Sequence, residues 1–372
     1  MRFRVELRDN NFNIKEILDN EYLDLGWSYS RIGGCGDFSF NLPRKRFEEK
    51  AIRGDFNIRI YNRNESTNTH DLWYQGFVKN KTPSISGKTE NIAVSGHGYA
   101  SQLDRIYINN VTYTGQEISV IVKSLLDNYI VPYTDITYDA GDILATDFTP
   151  DSIQFNESAR SCMEKLADLA GAREWGVGKN RDFFFWQRSE VIGFRKFLGK
   201  DIIRFEDNQD FDEIVNYILV QGAQVGGTYF TFGPYQDTPS QLKYSQRQRV
   251  IQNSSVTTES VASQLADATL QEFSEVSRRA TCEMVNVTAQ IESTIPIPLF
   301  SEISRKIKYG QKRYGTFLYS GTVSRLINRI NYDLSNEGSL RVRVDLDRQR
   351  PLISEQIGQI EYKLEQTRSA SL

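Results

Sequence analysis

Histidine is scarce, with two residues, His70 and His97, in 372. Few side chains are therefore available for the commonest general acid–base chemistry, and an enzyme built on this chain would have to rely on carboxylates. Cysteine is scarce as well. Cys35, Cys162 and Cys282 are separated by long stretches that fit neither a disulfide framework nor a zinc site, and folding in a reducing cytoplasm is the simplest reading. Long apolar runs are missing. None exceeds the length of Phe183 to Trp186, so neither a transmembrane helix nor stable membrane insertion is expected. The opening Met1-Arg2-Phe3-Arg4-Val5 lacks the apolar stretch of a secretory signal. An excess of one charge is also absent: 45 Lys and Arg face 48 Asp and Glu, for a net charge of −3. That balance leaves no basic footprint for sequence-specific nucleic-acid binding. No pattern calls for a cofactor.

Aromatic residues are abundant, with 19 Tyr, 21 Phe and 4 Trp, which favours strands. Phe3, Val5 and Leu7 alternate with Arg2, Arg4, Glu6 and Arg8. Phe38-Ser39-Phe40-Asn41-Leu42 and Phe56-Asn57-Ile58-Arg59-Ile60 alternate too. Period two with one apolar face marks half-buried strands. With Gly33, Gly34, Gly36, Gly54 and Gly76 as punctuation, residues 1–110 read as a β-barrel or sandwich.

The pattern changes near Thr114, which has capping-box spacing to Glu117. Ile118, Ile121, Val122, Leu125 and Leu126 follow as one helical stripe. A second helix is expected from Asn156, with Ala159, Cys162, Met163, Leu166 and Leu169 inward and Gly171 beyond its end. Trp175 to Trp186 reads as a hairpin whose second strand is buried on both faces. Residues 111–195 thus form a small inserted α/β module. Strands resume at Ile214–Val220, expected as a barrel core strand, and at Tyr229–Phe232. Gly233 to Asn253 reads as a long polar loop, and a helix near 258–279 carries Val261, Leu265, Ala268, Phe273 and Val276. Leu340, Val342, Val344 and Leu346 alternate with Arg341, Arg343 and Asp345, closing a second β domain over 196–350. A C-terminal helix and tail occupy 351–372.

No local cluster carries a catalytic signature. Cys35, within Gly33-Gly34-Cys35-Gly36, reads as a small buried filler at a bend. Ser95-Gly96-His97-Gly98 lacks the order of a nucleophile elbow and reads as a turn with an exposed histidine. Glu206, Asp207, Asp210, Asp212 and Glu213 lack the glycine and order of a calcium loop and read as a solvated acidic loop. Gly176-x-Gly178 is not a phosphate loop. Arg305, Lys306, Lys308, Lys312 and Arg313 form a basic run that is either a solvated loop or a contact for phosphate or an acidic partner surface. Ile353, Ile357, Ile360 and Leu364 form a short a/d seam that packs either on its own barrel or on another chain.

The order of these pieces resembles the baseplate-hub and tail-associated proteins of long-tailed bacteriophages, whose fold recurs in contractile injection machines. Gly36-Asp37-Phe38-Ser39-Phe40-Asn41-Leu42-Pro43 is similar to the family's early G-x-F-x-F-x-L strand. Gly76-Phe77-Val78, then Val94-Ser95-Gly96 and Leu103-Asp104-Arg105, resemble the end of its first barrel. Ile214 to Gly222 is similar to the V-N-x-V-x-V-x-G strand of its later β region, and Leu340–Leu346 followed by Pro351-Leu352 to the end of its hub portion. The resemblance implies a β-rich α+β fold of two tail-tube-like barrels, an inserted α/β module and a C-terminal helix. It implies a homotrimer joining a hexameric tail-tube or distal-tail ring to a central spike or fibre. The resemblance also implies a tape-measure protein as a further neighbour and non-specific passage of DNA through the lumen. It places the protein at the virion tail tip after synthesis in the host cytoplasm. Relatives that carry a lysin extend beyond the hub portion, whereas this sequence stops at Ser371-Leu372, so a non-enzymatic role is expected. A tail-associated peptidoglycan hydrolase and a receptor- or carbohydrate-binding tail protein are the alternatives.

Overall fold

The computed structural model describes residues 2–19, 21–45, 54–64, 69–86, 89–146, 148–150, 152–170, 173–187, 192–198, 202–225, 228–252, 256, 259–284, 300–305, 322–335 and 338–347. Strands dominate. The expected alternation builds β1 (Arg2–Arg8), with Phe3, Val5 and Leu7 buried. Glu6, on the polar side of that pattern, is buried too, and Arg4 and Arg8 clamp it at 2.8 and 2.6 Å. A carboxylate taken out of water needs such partners. β2 (Ile14–Asp19), β3 (Leu23–Ser30), β4 (Gly33–Pro43), β5 (Asn57–Asn64), β6 (Thr69–Ser86) and β7 (Thr89–His97) follow. They pair antiparallel in the order β3–β4–β7–β6–β5–β1–β2.

A 3-10 turn, Tyr99–Arg105, leads into β8 (Tyr107–Thr114), α1 (Ile118–Leu125), β9 (Ser152–Ser158), α2 (Ala159–Ala170), β10 (Arg173–Val177) and β11 (Phe183–Gln187). Thr114 ends β8 instead of capping the helix. Glu117 is the N-cap, and its carboxylate accepts from the Ser119 hydroxyl and the Thr146 amide. The second helix starts at Ala159, later than expected, because β9 continues pairing with β8 through Ser158. The hairpin forms as expected, with Trp175 opposite Phe185 and Phe183, Phe184 and Phe185 all buried. Ile121, Leu125, Phe155, Met163, Trp175 and Phe183 share one core beside the main sheet. β10 also pairs parallel with β4, Gly176 against Gly33 and Val177 against Gly34.

β12 (Ile192–Leu198), β13 (Ile202–Asp210), β17 (Ser277–Met284), β18 (Phe300–Arg305), β19 (Thr322–Leu334) and β20 (Leu340–Asp347) extend the same sheet. β18 pairs with both β12 and β19. β19 pairs with β3 from Arg329–Ser30 to Leu334–Leu25, joining the two halves of the chain edge to edge. Across that seam Trp27 and Trp73 pack with Tyr332, Phe3 packs on both tryptophans, and Trp27 stacks on Tyr332 with ring centroids 5.1 Å apart. Val342, Val344 and Leu346 of β20 lie in the same core as Phe38, Phe40 and Ile60.

The remaining strands, β14 (Tyr217–Val225), β15 (Thr228–Gln236) and β16 (Gln248–Gln252), form a separate sheet, ordered β15–β14–β16. Two expectations are corrected here. Ile214–Val220 is a core segment of this small sheet, not of the large one. Of the expected loop Gly233–Asn253, the described residues 233–252 are not a loop: they complete β15, form α3 (Thr238–Tyr244) on the Asp237 cap, and supply β16. The helix expected near 258–279 is α4 (Glu259–Phe273), and the chain re-enters the main sheet as β17 at Ser277. Ala262, Leu265, Ala266 and Leu270 of α4 are buried against Ile218 and Val220. Val220 is fully buried, so Val220→Asp would leave a charge without a partner. We expect a loss of several kcal/mol of stability (on the order of 3–5), seen as a lowered urea midpoint. A variant as stable as the parent would contradict the packing.

Candidate functional site

A cleft of about 400 Å³ opens where β4, β7, the 3-10 turn, α2 and β19 converge. The glycine-rich start of β4 forms one wall. The Gly36 carbonyl accepts from the Tyr74 hydroxyl and from the Gly98 amide, both at 2.7 Å. Burial pushes the Tyr74 hydroxyl well above its ordinary pKa, which keeps it a donor. Asp37, the next residue, faces two elements. Its Oδ1 lies 2.6 Å from His97 Nδ1 on β7, and its Oδ2 lies 3.7 Å from Arg329 Nη2 on β19. Arg329 also donates to Ser28 Oγ at 3.1 Å, and Ser28 Oγ accepts the Asp37 amide at 3.0 Å. Opposite, Arg160 of α2 donates to Asp104 at 2.5 Å and to the Ala100 carbonyl at 3.0 Å, with its guanidinium 5.7 Å from the Trp175 ring centroid.

The cleft therefore holds Asp37 and Asp104, each engaged by a cation, together with Lys79 and Arg105. Among the described residues neither Lys79 nor Arg105 has an ion pair; Arg105 lies over the Phe77 ring at 5.2 Å. The balance is positive, on a chain that is negative overall.

His97 is not a turn residue with a free ring. It ends β7 and is tied to Asp37. The pair does not extend to a nucleophile, since among the described residues no hydroxyl or thiol is hydrogen-bonded to His97. Cys35 borders the cleft but is buried. Cys162 and Cys282 are buried as well, and burial raises both thiols to about 12. His70 is exposed on β6, opposite Arg63. Among the described residues no group of His, Cys, Asp and Glu is arranged to hold a metal ion.

The acidic run is only partly a loop. Glu206, Asp207 and Asp210 belong to β13, paired with β17, and only Phe211–Glu213 form a turn. In the basic run Arg305 ends β18, in register with Leu198. Lys306, Lys308, Lys312 and Arg313 lie outside the described residues, as do Ile353, Ile357, Ile360 and Leu364. Arg329, Arg160 and Asp104 escaped the sequence reading as site residues because no local motif joins them. In the sequence Gly36-Asp37 reads as the start of a strand and Ser95-Gly96-His97 as a turn, neither as part of a site.

Comparison with solved structures places this architecture. The 43 kDa tail protein of prophage MuSo2 from Shewanella oneidensis is similar over 96% of this chain and 99% of its own, with a TM-score of 0.63 at 14% identity. The fold is that of a phage tail protein. A tail protein from Neisseria meningitidis MC58 is similar over 95% of this chain and 99% of its own, with a TM-score of 0.64 at 11% identity. A lidded Francisella PdpA–VgrG complex gives a TM-score of 0.53 at 10% identity, over 94% of this chain and 53% of that one. No family model matches the sequence, and no curated protein sequence matches it. The resemblance to tail-hub proteins thus holds at the level of fold. Among the described residues of this tail-protein fold, no helix is long and apolar enough to cross a membrane.

Proposed function

We propose that this chain is a non-enzymatic structural protein of a phage tail tip, acting as a trimeric hub between a sixfold tube or distal-tail ring and a central spike or fibre. The carrying observation is the coverage: the likeness to two tail proteins takes in nearly all of this chain and nearly all of each of theirs. Such a match leaves little room for a domain of different purpose within the aligned length. Two barrels per chain are supported by two strand groups of one sheet, joined at β3–β19, and by β18 pairing back to β19. The core shared by α1, α2 and the β10–β11 hairpin supports an inserted module at 111–195. Three such chains would present six barrels to a sixfold ring, with DNA passing along the central lumen.

A tail reconstruction tests this reading. We expect three copies around the tail axis at the tip, and light scattering on purified chain reporting a threefold mass at high concentration. Six copies around the axis, or one copy off it, would overturn the hub. No soluble muropeptides are expected from host peptidoglycan. Release abolished by replacing one or two carboxylates would overturn the non-enzymatic part.

A further inference from the structure

We infer that the cleft between β4, β7 and β19 is a docking site for carboxylates, and that its occupant is the acidic segment Glu206–Glu213, the end of β13 and the turn after it, of a second copy of this chain. The inference rests on the trimeric reading above and assigns one contact within it. Four cations, Lys79, Arg105, Arg160 and Arg329, line the cleft against two carboxylates. Asp104 satisfies Arg160, and Asp37 lies beside Arg329. Lys79 and Arg105 are exposed and carry no ion pair among the described residues, so they are the cations left to meet an incoming anion. Their field adds to a cavity with room for two or more acidic side chains.

The same chain carries the complementary group. Residues 206–213 hold five acids and no base; Glu206, Asp212 and Glu213 are exposed beside the half-exposed Phe211, and Glu206 is paired with Arg204 on its own strand. None of these residues lines the cleft of its own chain. The strand register sets the acidic segment and the cleft at the same end of the sheet. Glu206 faces Thr281, Thr281 faces Asp345, and Asp345 faces Arg329, which puts Glu206 and Arg329 at one level. They stand three strands apart, roughly 14 Å at the usual inter-strand spacing. A rotation axis running along the strands carries Glu206 of one copy to the level of the cleft of the next. A closed ring requires such a pair of different, matching surfaces on every subunit.

The test uses the full chain and a fluorescent peptide with the sequence of residues 206–213. Anisotropy should show binding that weakens steeply with salt. Binding should fall about tenfold or more in Lys79→Glu/Arg105→Glu, and a peptide with Asn and Gln in place of the acids should not bind. Equal binding by parent and variant would overturn the site. So would tighter binding of a single-stranded DNA of similar charge, which would make the cleft a nucleic-acid groove. For the copy-to-copy contact, the cleft reversal should lower the mass seen by light scattering. Adding Glu206→Lys, Asp212→Lys and Glu213→Lys to the same chain should restore it. A threefold mass that survives the cleft reversal would overturn this contact while leaving the hub standing. A monomeric parent that binds the peptide would keep the carboxylate site and overturn the trimer.

Discussion

Gly34→Ala is expected to lower the stability of the folded chain by about 3–5 kcal/mol, near the top of what single substitutions do. Gly34 has φ +76°, a left-handed conformation that costs any other residue about 1–2 kcal/mol. A methyl group there would also stand 2.2 Å from the Val177 carbonyl oxygen and 2.8 Å from its nitrogen. Those are backbone atoms of β10 and cannot rotate aside. Relief requires β10 to leave β4, which separates the hairpin and its helices from the main sheet. Gly33→Ala is the matched control. Gly33 is also left-handed, at φ +94°, but nothing lies within 4 Å of its added carbon. It should cost only the conformational part, about 1–2 kcal/mol. Urea unfolding of both variants separates strain from collision. Equal losses would mean that the β4–β10 contact is looser than described.

Tyr332→Ala should cost a similar amount, about 3–5 kcal/mol, the usual range for removing a buried large aromatic ring. Tyr332 is fully buried and stacks on Trp27 with an interplanar angle of 10°, while Trp73 meets it edge-on at 5.6 Å. The ring lies on β19 directly opposite Trp27 on β3, so its loss empties the seam between the two halves of the chain. Tryptophan fluorescence should shift with the unfolding midpoint, because two of the four tryptophans pack against this ring. Tyr133→Ala, at a side chain 74% exposed, should stay within about 0.5 kcal/mol of the parent. A Tyr332 variant as stable as that control would show that the seam is held elsewhere.

Strands with one apolar face were legible because alternation is local. Phe3, Val5 and Leu7, Phe38 to Leu42, and Leu340 to Leu346 all bury the side chains that their spacing selects. The stretch around α3 and β16 was not legible. It is polar, its helix is short, and Gln248–Gln252 carries only two apolar residues, so neither period rises above the background. Ile214–Val220 was recognised as buried but assigned to the wrong sheet. Burial is written in composition, whereas sheet membership depends on partners such as Gln248 and Gln236, far along the chain. The cleft is an extreme case of the same limit. Ser28, Asp37, His97, Arg160 and Arg329 come from four separate strands and a helix, and no short window contains more than one of them. The glycines at 33, 34 and 36 did signal a bend. That Gly34 must also admit the backbone of Val177 was invisible without the crossing strand.

The pairing of β3 with β19 also sets a timetable for biosynthesis. About three hundred residues separate Trp27 from Tyr332. At roughly 5–20 residues per second on the ribosome, some 15–60 s pass between the emergence of one strand and the other. Through that interval the β3 edge has its hydrogen-bonding groups open and Trp27 lacks the ring that covers it. An unpaired edge beside exposed aromatics is what neighbouring nascent chains can join. Copies translated together on one messenger would therefore meet while their first halves are folded and their last strands are still unmade.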